Sequence, residues 1–207
     1  MKVVAVSQRV DVWADRGERR DALDQRLCLW LVTAGCVPVP VPNSLMVAGD
    51  AGELWLQRWL EAVKPDAVLL SGGNDIGGAP ERDNTERSLL AYAKDQALPV
   101  LGICRGMQMM GVWAGASLVP VERHAGTQHQ LQVVEGPDEW PSTVNSFHNF
   151  ALSDCPPGFA VSARAGDGTI EAMCHAHLPW EGWMWHPERE RDFSLTDIDR
   201  LRALFHV

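Results

Sequence analysis

Positive charge is scarce in this 207-residue chain, with 18 Lys and Arg against 27 Asp and Glu and a formal net charge of −9. Proteins that grip nucleic acid or anionic membranes through their general surface show the opposite balance. Those partners are excluded, and a small molecule is expected, met by a local basic cluster if it is anionic. Long apolar runs are missing too, and none has the length of a bilayer span. The stretch from Met1 to Arg9 is too short for the apolar core of a secretory signal and has no cleavage pattern. Cysteine is sparse and odd in number, five in all, with no Cys-x-x-Cys pair. A disulfide framework is therefore not expected, and a reducing cytoplasm fits better. There is one Tyr against nine Trp. No repeat, low-complexity tract or linker divides the chain, so one domain over residues 1–207 is expected. Hydrophobic residues at 46% and charged residues at 22% supply what a folded core needs.

The pattern in the first half alternates apolar strands with amphipathic helices. Strands are predicted at Lys2 to Ser7, Val37 to Val41, Ala67 to Leu70 and Pro99 to Ile103. Helices are predicted at Arg20 to Ala34, with Gly35 as its stop, and at Glu53 to Val63, Thr85 to Ala97 and Arg105 to Trp113. That alternation implies an α/β fold with a mostly parallel sheet and helices on both faces. After Ser117 the texture changes to short segments split by Gly and Pro: Gln130 to Val134, Ala160 to Ala165, Thr169 to Cys174 and Gly182 to Trp185. These read as antiparallel strands added in the C-terminal half. A last helix runs from Ser194 to His206, capped by Ser194 or Thr196. The Gly- and charge-rich stretch from Asn74 to Arg87 reads as a long loop or a lid.

The most informative segment is Gly102-Ile103-Cys104-Arg105-Gly106. It places a cysteine between two glycines where a strand turns into a helix, the thiol counterpart of a Gly-x-Ser-x-Gly nucleophile elbow. Small neighbours let the turn tighten, and the helix N-terminus favours thiolate over thiol. The Arg105 amide points where a tetrahedral oxyanion would form. A lone cysteine is more often a small buried hydrophobe. That reading holds for Cys28, Cys36, Cys155 and Cys174, which lack the glycine frame.

A base is offered by His186-Pro187-Glu188. Pro187 disfavours helical geometry at His186. In an extended chain positions i and i+2 face the same way, so Glu188 can hold one ring nitrogen and leave the other for sulfur. Alone, this histidine would more simply be bonded to backbone at a strand end; the elbow reverses that order. The loop Ser71-Gly72-Gly73-Asn74-Asp75 follows a buried strand on the same side of the expected sheet. Gly73 is the expected second oxyanion donor, with Gly72 beside it.

Taken together, Gly-Ile-Cys-Arg-Gly-Met-Gln, Ser-Gly-Gly-Asn-Asp and His-Pro-Glu, in this order and spacing, resemble a class I glutamine amidotransferase domain, and within it the stand-alone γ-glutamyl hydrolases of the peptidase C26 type. The resemblance implies a flavodoxin-like α/β fold and cleavage of a γ-glutamyl amide through a thioester. Cys104 would be the nucleophile, His186 the acid and base, and Glu188 its orienter. Gln108 and the segment Asn145-Ser146-Phe147-His148 match elements that hold the glutamyl group. Ser7-Gln8-Arg9, His124-Ala125-Gly126-x-x-His129 and Trp185-His186-x-Glu188-Arg189 resemble members that cleave γ-glutamyl-CDP-amidate, releasing cytidine diphosphoramidate for capsule decoration.

A diphosphate leaving group would require cations, and Arg9, Arg105, Arg123 and Arg189 adjoin the motifs, although a surface ion pair is the commoner fate of an arginine. His124 and His129 have either a substrate or a structural role. Because no Cys joins these two, or His175 and His177, at ligand spacing, no metal and no other cofactor is expected. Three alternatives stay open: a γ-glutamyl-GABA hydrolase, a glutaminase subunit that hands ammonia to a partner synthetase, and a non-catalytic module. A homodimer is also left open.

Overall fold

The computed structural model describes residues 1–46, 50–134 and 140–207. In chain order the strands are β1 (Lys2–Val6), β2 (Arg9–Trp13), β3 (Glu18–Ala22), β4 (Cys36–Pro40), β5 (Ala67–Leu70), β6 (Val100–Ile103), β7 (Leu118–Pro120), β8 (Ala125–Gln130), β9 (Gln132–Val133), β10 (Thr143–Phe147), β11 (Phe150–Leu152), β12 (Phe159–Arg164), β13 (Ile170–His175) and β14 (Trp180–Trp183). The helices are α1 (Gln25–Thr33), α2 (Asp50–Val63), α3 (Pro80–Asp95), α4 (Arg105–Trp113) and α5 (Leu195–Phe205).

The main sheet has the order β4-β1-β5-β6-β14-β13-β12-β9. Its first five strands run parallel and the remaining three are antiparallel. The α/β arrangement and the late antiparallel strands are as the sequence implies. The central strands are buried on both faces, because both faces carry helices. Alternate residues go to opposite sides. Val4, Val6, Leu69, Leu101 and Ile103 pack with Leu27, Trp30, Leu31, Ile198, Leu201 and Phe205 of α1 and α5. Ala5, Val68, Leu70 and Val100 pack with Leu56, Leu60, Leu89, Leu90, Met107 and Met110 of α2, α3 and α4. Part of the Trp excess collects in the first of these layers. Trp183 stacks on Trp185 at 5.3 Å between centroids, and Trp30 and Trp140 meet Trp183 edge-on.

Four local readings change. Residues 20–22 are not helical: Glu18–Ala22 pairs antiparallel with Arg9–Trp13 as a hairpin, and α1 begins only after Asp24, whose side chain caps the amide of Arg26 at 2.8 Å. Cross-strand pairing decides there, and no apolar period marks Glu18–Ala22 in advance. Pro80 at the first turn, with Glu81 and Asp83 behind it, starts α3 earlier than expected, so much of the anticipated loop or lid is helix. The last sheet strand is Trp180–Trp183, and it runs parallel to β6 while pairing antiparallel with β13. It therefore joins the parallel and antiparallel halves. The Gln130 to Val134 segment splits, so that β8 leaves the main sheet to pair with β10. Ser194 caps α5, accepting from the Asp197 amide at 3.3 Å.

Candidate active site

The elbow forms because strand β6, buried throughout, ends against helix α4 with one residue between them. That residue is Cys104, held at φ 50° and ψ −106°, a conformation L-residues avoid. Its amide donates to Trp183 O at 2.7 Å, and its carbonyl accepts from the Gln108 amide at 3.0 Å. The flanking glycines are required by space. A Cβ on Gly106 would lie 2.1 Å from Leu70 O, and one on Gly102 would lie 2.7 Å from backbone atoms of Gly106 and Met107. The Arg105 amide is the first of α4 and has no acceptor within the helix. Because the peptide is planar and trans, and Cys104 O faces down α4, the Arg105 N–H faces out of the helix end.

His186 and Glu188 are both buried, and Nδ1 of the ring lies 2.6 Å from Glu188 Oε1. The expectation that an extended chain aligns them holds for His186, at φ −112° and ψ 91°. Glu188 is then brought back by a tight turn over Pro187–Arg189, closed by Arg189 N to His186 O at 3.1 Å. Burial opposes a charge on the imidazole. Hydrogen bonds to the Cys104 sulfur and to Glu188, together with their negative charge, outweigh it and raise the His186 pKa to about 9. The pair thus favours imidazolium facing sulfur.

Cys104 and His186 line one cavity of about 280 Å³. Gly73, Asn74, Gln108, Phe147, His148 and Arg189 complete much of its wall. Gly72 lies behind the imidazole: a Cβ there would come within 2.5 Å of His186 Cε1. Gly73 takes φ 109°, favourable only for glycine. Gly72 O accepts from Arg82 at 3.0 Å, so in the planar trans peptide the Gly73 N–H points away from Arg82.

Beneath that loop lies a buried charge network without a sequence motif. Arg82 donates to Glu86 at 2.9 Å and to Ser71 O at 2.6 Å. Arg105 pairs with Glu86 and Asp83, and its Nε donates to Asn74 O at 3.1 Å. Burial, and then the repulsion between the two guanidinium groups, lowers the Arg105 pKa to about 9; burial lowers that of Arg82 to about 10. Ser7 joins from β1, donating to Glu86 at 2.7 Å. A helical i, i+4 pair, Arg82 and Glu86, was the available signal.

The other expected substrate contacts separate into two groups. Gln108, Phe147, His148 and Arg189 reach the Cys104 cavity. Asn145 does not: its amide accepts from His186 N at 3.0 Å and donates to His186 O at 2.8 Å, so it clamps the histidine backbone. Ser146 is buried and donates to His124 O. His124 and His129 lie outside the cavity as well, grouped with His148 around Glu171. The Arg105 guanidinium is consumed by its acids and is not free for a diphosphate. Arg9 lines adjoining cavities and pairs with Asp11 at 2.7 Å. Arg189 lies over the Phe147 ring at 4.6 Å and has no ion pair among the described residues.

Among the described residues no helix is long and apolar enough to cross a membrane. The peptidase C26 family model matches residues 2–188. The chain is 35% identical over 147 residues, 68% of its length and 70% of the relative's, to a γ-glutamyl-CDP-amidate hydrolase of Campylobacter jejuni. It is 27% identical, over 88% of this chain and 85% of the relative, to a γ-glutamyl-γ-aminobutyrate hydrolase of Escherichia coli O157:H7. Among solved structures, a glutamine amidotransferase of Thermotoga maritima superposes with a TM-score of 0.64 at 15% identity, covering 99% of this chain and 82% of that one. The chain belongs to the peptidase C26 family, within the class of γ-glutamyl amide hydrolases and glutamine amidotransferases.

Proposed function

We propose that this protein hydrolyses a γ-glutamyl amide through a Cys104 thioester, with His186 as acid and base and Glu188 as its orienter. The observation that carries the reading is the shared cavity: a strained cysteine at a helix start beside an imidazole already held by a carboxylate. In the proposed reaction the Cys104 sulfur attacks the γ-carbonyl carbon. The amides of Gly73 and Arg105 receive the oxyanion, each worth on the order of 3 kcal/mol. His186 gives its proton to the leaving nitrogen as the C–N bond breaks. It then takes a proton from the water that attacks the thioester, and glutamate leaves as the sulfur is restored. Gln108, Phe147 and His148 stand where the glutamyl group would rest.

For the leaving group we favour a nucleoside diphosphoramidate, the reading supported by similarity to the Campylobacter enzyme. Arg189 in the Cys104 cavity, and Arg9 with the exposed Trp13 in the neighbouring one, offer cations and an aromatic face on one side of the site. A γ-glutamyl-GABA-type substrate is the second reading, favoured by the longer match to the Escherichia relative. A mass-spectrometric screen of glutamine, γ-glutamyl-GABA and γ-glutamyl-CDP-amidate decides between them, with Cys104→Ser as control. The expected result is cleavage fastest for the CDP-amidate and abolished in Cys104→Ser. Turnover unchanged by Cys104→Ser would overturn the mechanism. Glutamine cleavage appearing only with an added synthetase would assign the chain an ammonia-supplying role.

A further inference from the structure

Three histidines and one glutamate from separate segments meet behind the wall of the cavity. His124 precedes β8, His129 lies within it, His148 sits between β10 and β11, and Glu171 belongs to β13. Glu171 is fully buried, and neither of its carboxylate oxygens has a hydrogen-bond partner. An ionised carboxylate is not left in that state without a compensating positive charge. The nearest atoms are ring nitrogens: His148 Nε2 at 3.5 Å, His124 Nδ1 at 3.7 Å and His129 Nδ1 at 3.9 Å from Glu171 Oε1.

The outward nitrogen of each ring has its own acceptor. His124 Nε2 is 2.8 Å from Asp167 Oδ2, His148 Nδ1 is 3.0 Å from Phe150 O, and His129 Nε2 is 3.2 Å from Thr127 Oγ1. A ring nitrogen facing a carboxylate or a carbonyl carries the proton, so the inward nitrogens of His124 and His148 present lone pairs. Those two inward atoms lie only 3.2 Å apart, and both face the carboxylate. Either one of these rings carries a second proton or a bound cation supplies the positive charge that the carboxylate requires. Metal-bound histidines show this same outer arrangement, each donating its second N–H to a carboxylate, carbonyl or similar acceptor.

We propose that His124, His129, His148 and Glu171 form a binding site for a late first-row divalent cation of the Zn2+ class. Tetrahedral Zn2+ with bonds of about 2.0–2.1 Å holds its ligand atoms roughly 3.3 Å apart; His124, His129 and Glu171 offer ligand atoms that lie within 4.8 Å of one another, and His148 Nε2 is 3.2 Å from His124 Nδ1 and 3.5 Å from Glu171 Oε1. Three imidazoles and a carboxylate suit Zn2+ better than Mg2+ or Ca2+. They also complete its usual four positions without a water, so the site is structural. His129 is partly exposed and marks the side of ion access. The metal would staple the β8–β10 ribbon to β13 of the main sheet, and through His148 it would fix part of the wall around Cys104. Of the four ligands only His148 also lines the Cys104 cavity, and the inference does not depend on the proposed reaction.

The test uses the full chain with Cys104→Ser, so that the cavity sulfur adds no second site. After exposure to Zn2+ or Co2+ and gel filtration, elemental analysis should find one metal per chain, and Co2+ should give the visible bands of a tetrahedral site. Glu171→Gln should weaken binding at least 100-fold, and so should His129→Gln, with circular dichroism confirming that each variant is folded. A His175→Ala/His177→Ala double variant should keep full stoichiometry. Zn2+ should raise Tm in the parent and leave His129→Gln unmoved. No saturable binding by the parent, or equal binding in His129→Gln, overturns the proposal and leaves a protonated imidazole as the partner of Glu171.

Discussion

Replacing Gly72 by alanine tests the proposed site with a single methyl group. Gly72 does not sit at a positive φ, so its backbone accepts a side chain. The added Cβ would, however, stand 2.5 Å from His186 Cε1. Carbon atoms settle at about 3.5–4.0 Å, so the ring must retreat by about 1 Å. It is held at Nδ1 by Glu188 at 2.6 Å and through its backbone by Asn145. It cannot retreat without tilting relative to the Cys104 sulfur. A misplacement of about 1 Å at a reacting group costs roughly 100-fold, or about 2.7 kcal/mol in the barrier.

Steady-state release of p-nitroaniline from γ-glutamyl-p-nitroanilide gives kcat/KM for Gly72→Ala and its parent, with thermal melts run beside it. The expected pattern is a fall of about 100-fold in kcat with a Tm close to that of the parent. Gly77→Ala is the control, because its φ of 91° is strained for alanine while its Cβ would meet nothing within 4 Å. It should cost about 1 kcal/mol in stability and leave kcat intact. Full activity in a folded Gly72→Ala would mean that the position of the His186 ring does not govern the reaction, and the assignment of the base would fail.

Glu188→Gln should lower kcat by about 10²- to 10⁴-fold and bring the His186 pKa down from about 9, read by NMR titration of the ring; an unmoved pKa would exclude Glu188 as its orienter. Gly106→Ala should destabilise the fold by about 3 kcal/mol, because its Cβ would press on a backbone atom, Leu70 O, and denaturant titration reads this directly. Burial, then Glu190, raises the Asp197 pKa to about 7, so its contribution is complete below the unfolded value near 4 and drains away as pH rises through 7, by on the order of 4 kcal/mol at most. Asp197→Asn should therefore raise Tm at pH 8 and change it little at pH 4; equal effects at both would refute the titration. Arg189→Ala and Arg9→Ala should raise KM for γ-glutamyl-CDP-amidate much more than for γ-glutamyl-GABA, and equal effects on both substrates would remove the diphosphate argument.

The elbow and the triad candidates were legible because their chemistry needs residue types at short fixed spacing: two glycines around Cys104, and a proline between His186 and Glu188. The parallel core was legible for a similar reason, since strands buried on both faces read as apolar runs. What failed was whatever depends on distant pairing. In the hairpin of β2 and β3, the second strand, Glu18–Ala22, is mostly charged and has no apolar period of its own. The pairing of β14 with β6 joins segments about 80 positions apart. Asn145 is in a motif that suggested substrate, yet only the fold reveals that its amide is spent on the His186 backbone. His124 and His129 stood out as a pair, but the full group was not legible because His148 comes from a separate motif and Glu171 from β13 of the main sheet. Spacing joined His124 to His129, but nothing in the sequence added His148 or Glu171, and no metal was expected.

The same dependence on distant pairing hides the residue that gives the Gly72–Gly73 loop its direction. A backbone N–H can be aimed only by fixing the carbonyl of the preceding residue, since the two are locked on opposite edges of one planar unit. Arg82 does this by taking Ser71 O and Gly72 O together. Its charge is tolerated in a fully buried place because Glu86 faces it, and Arg105 and Asp83 complete a balanced set of two cations and two anions. Removing Glu86 would leave two buried guanidinium groups repelling each other beside the loop, so the network is all-or-none. That explains why four ionised side chains occupy a position where apolar packing would be cheaper: apolar residues cannot hold two carbonyls, and without them Gly73 has no fixed amide to offer the cavity.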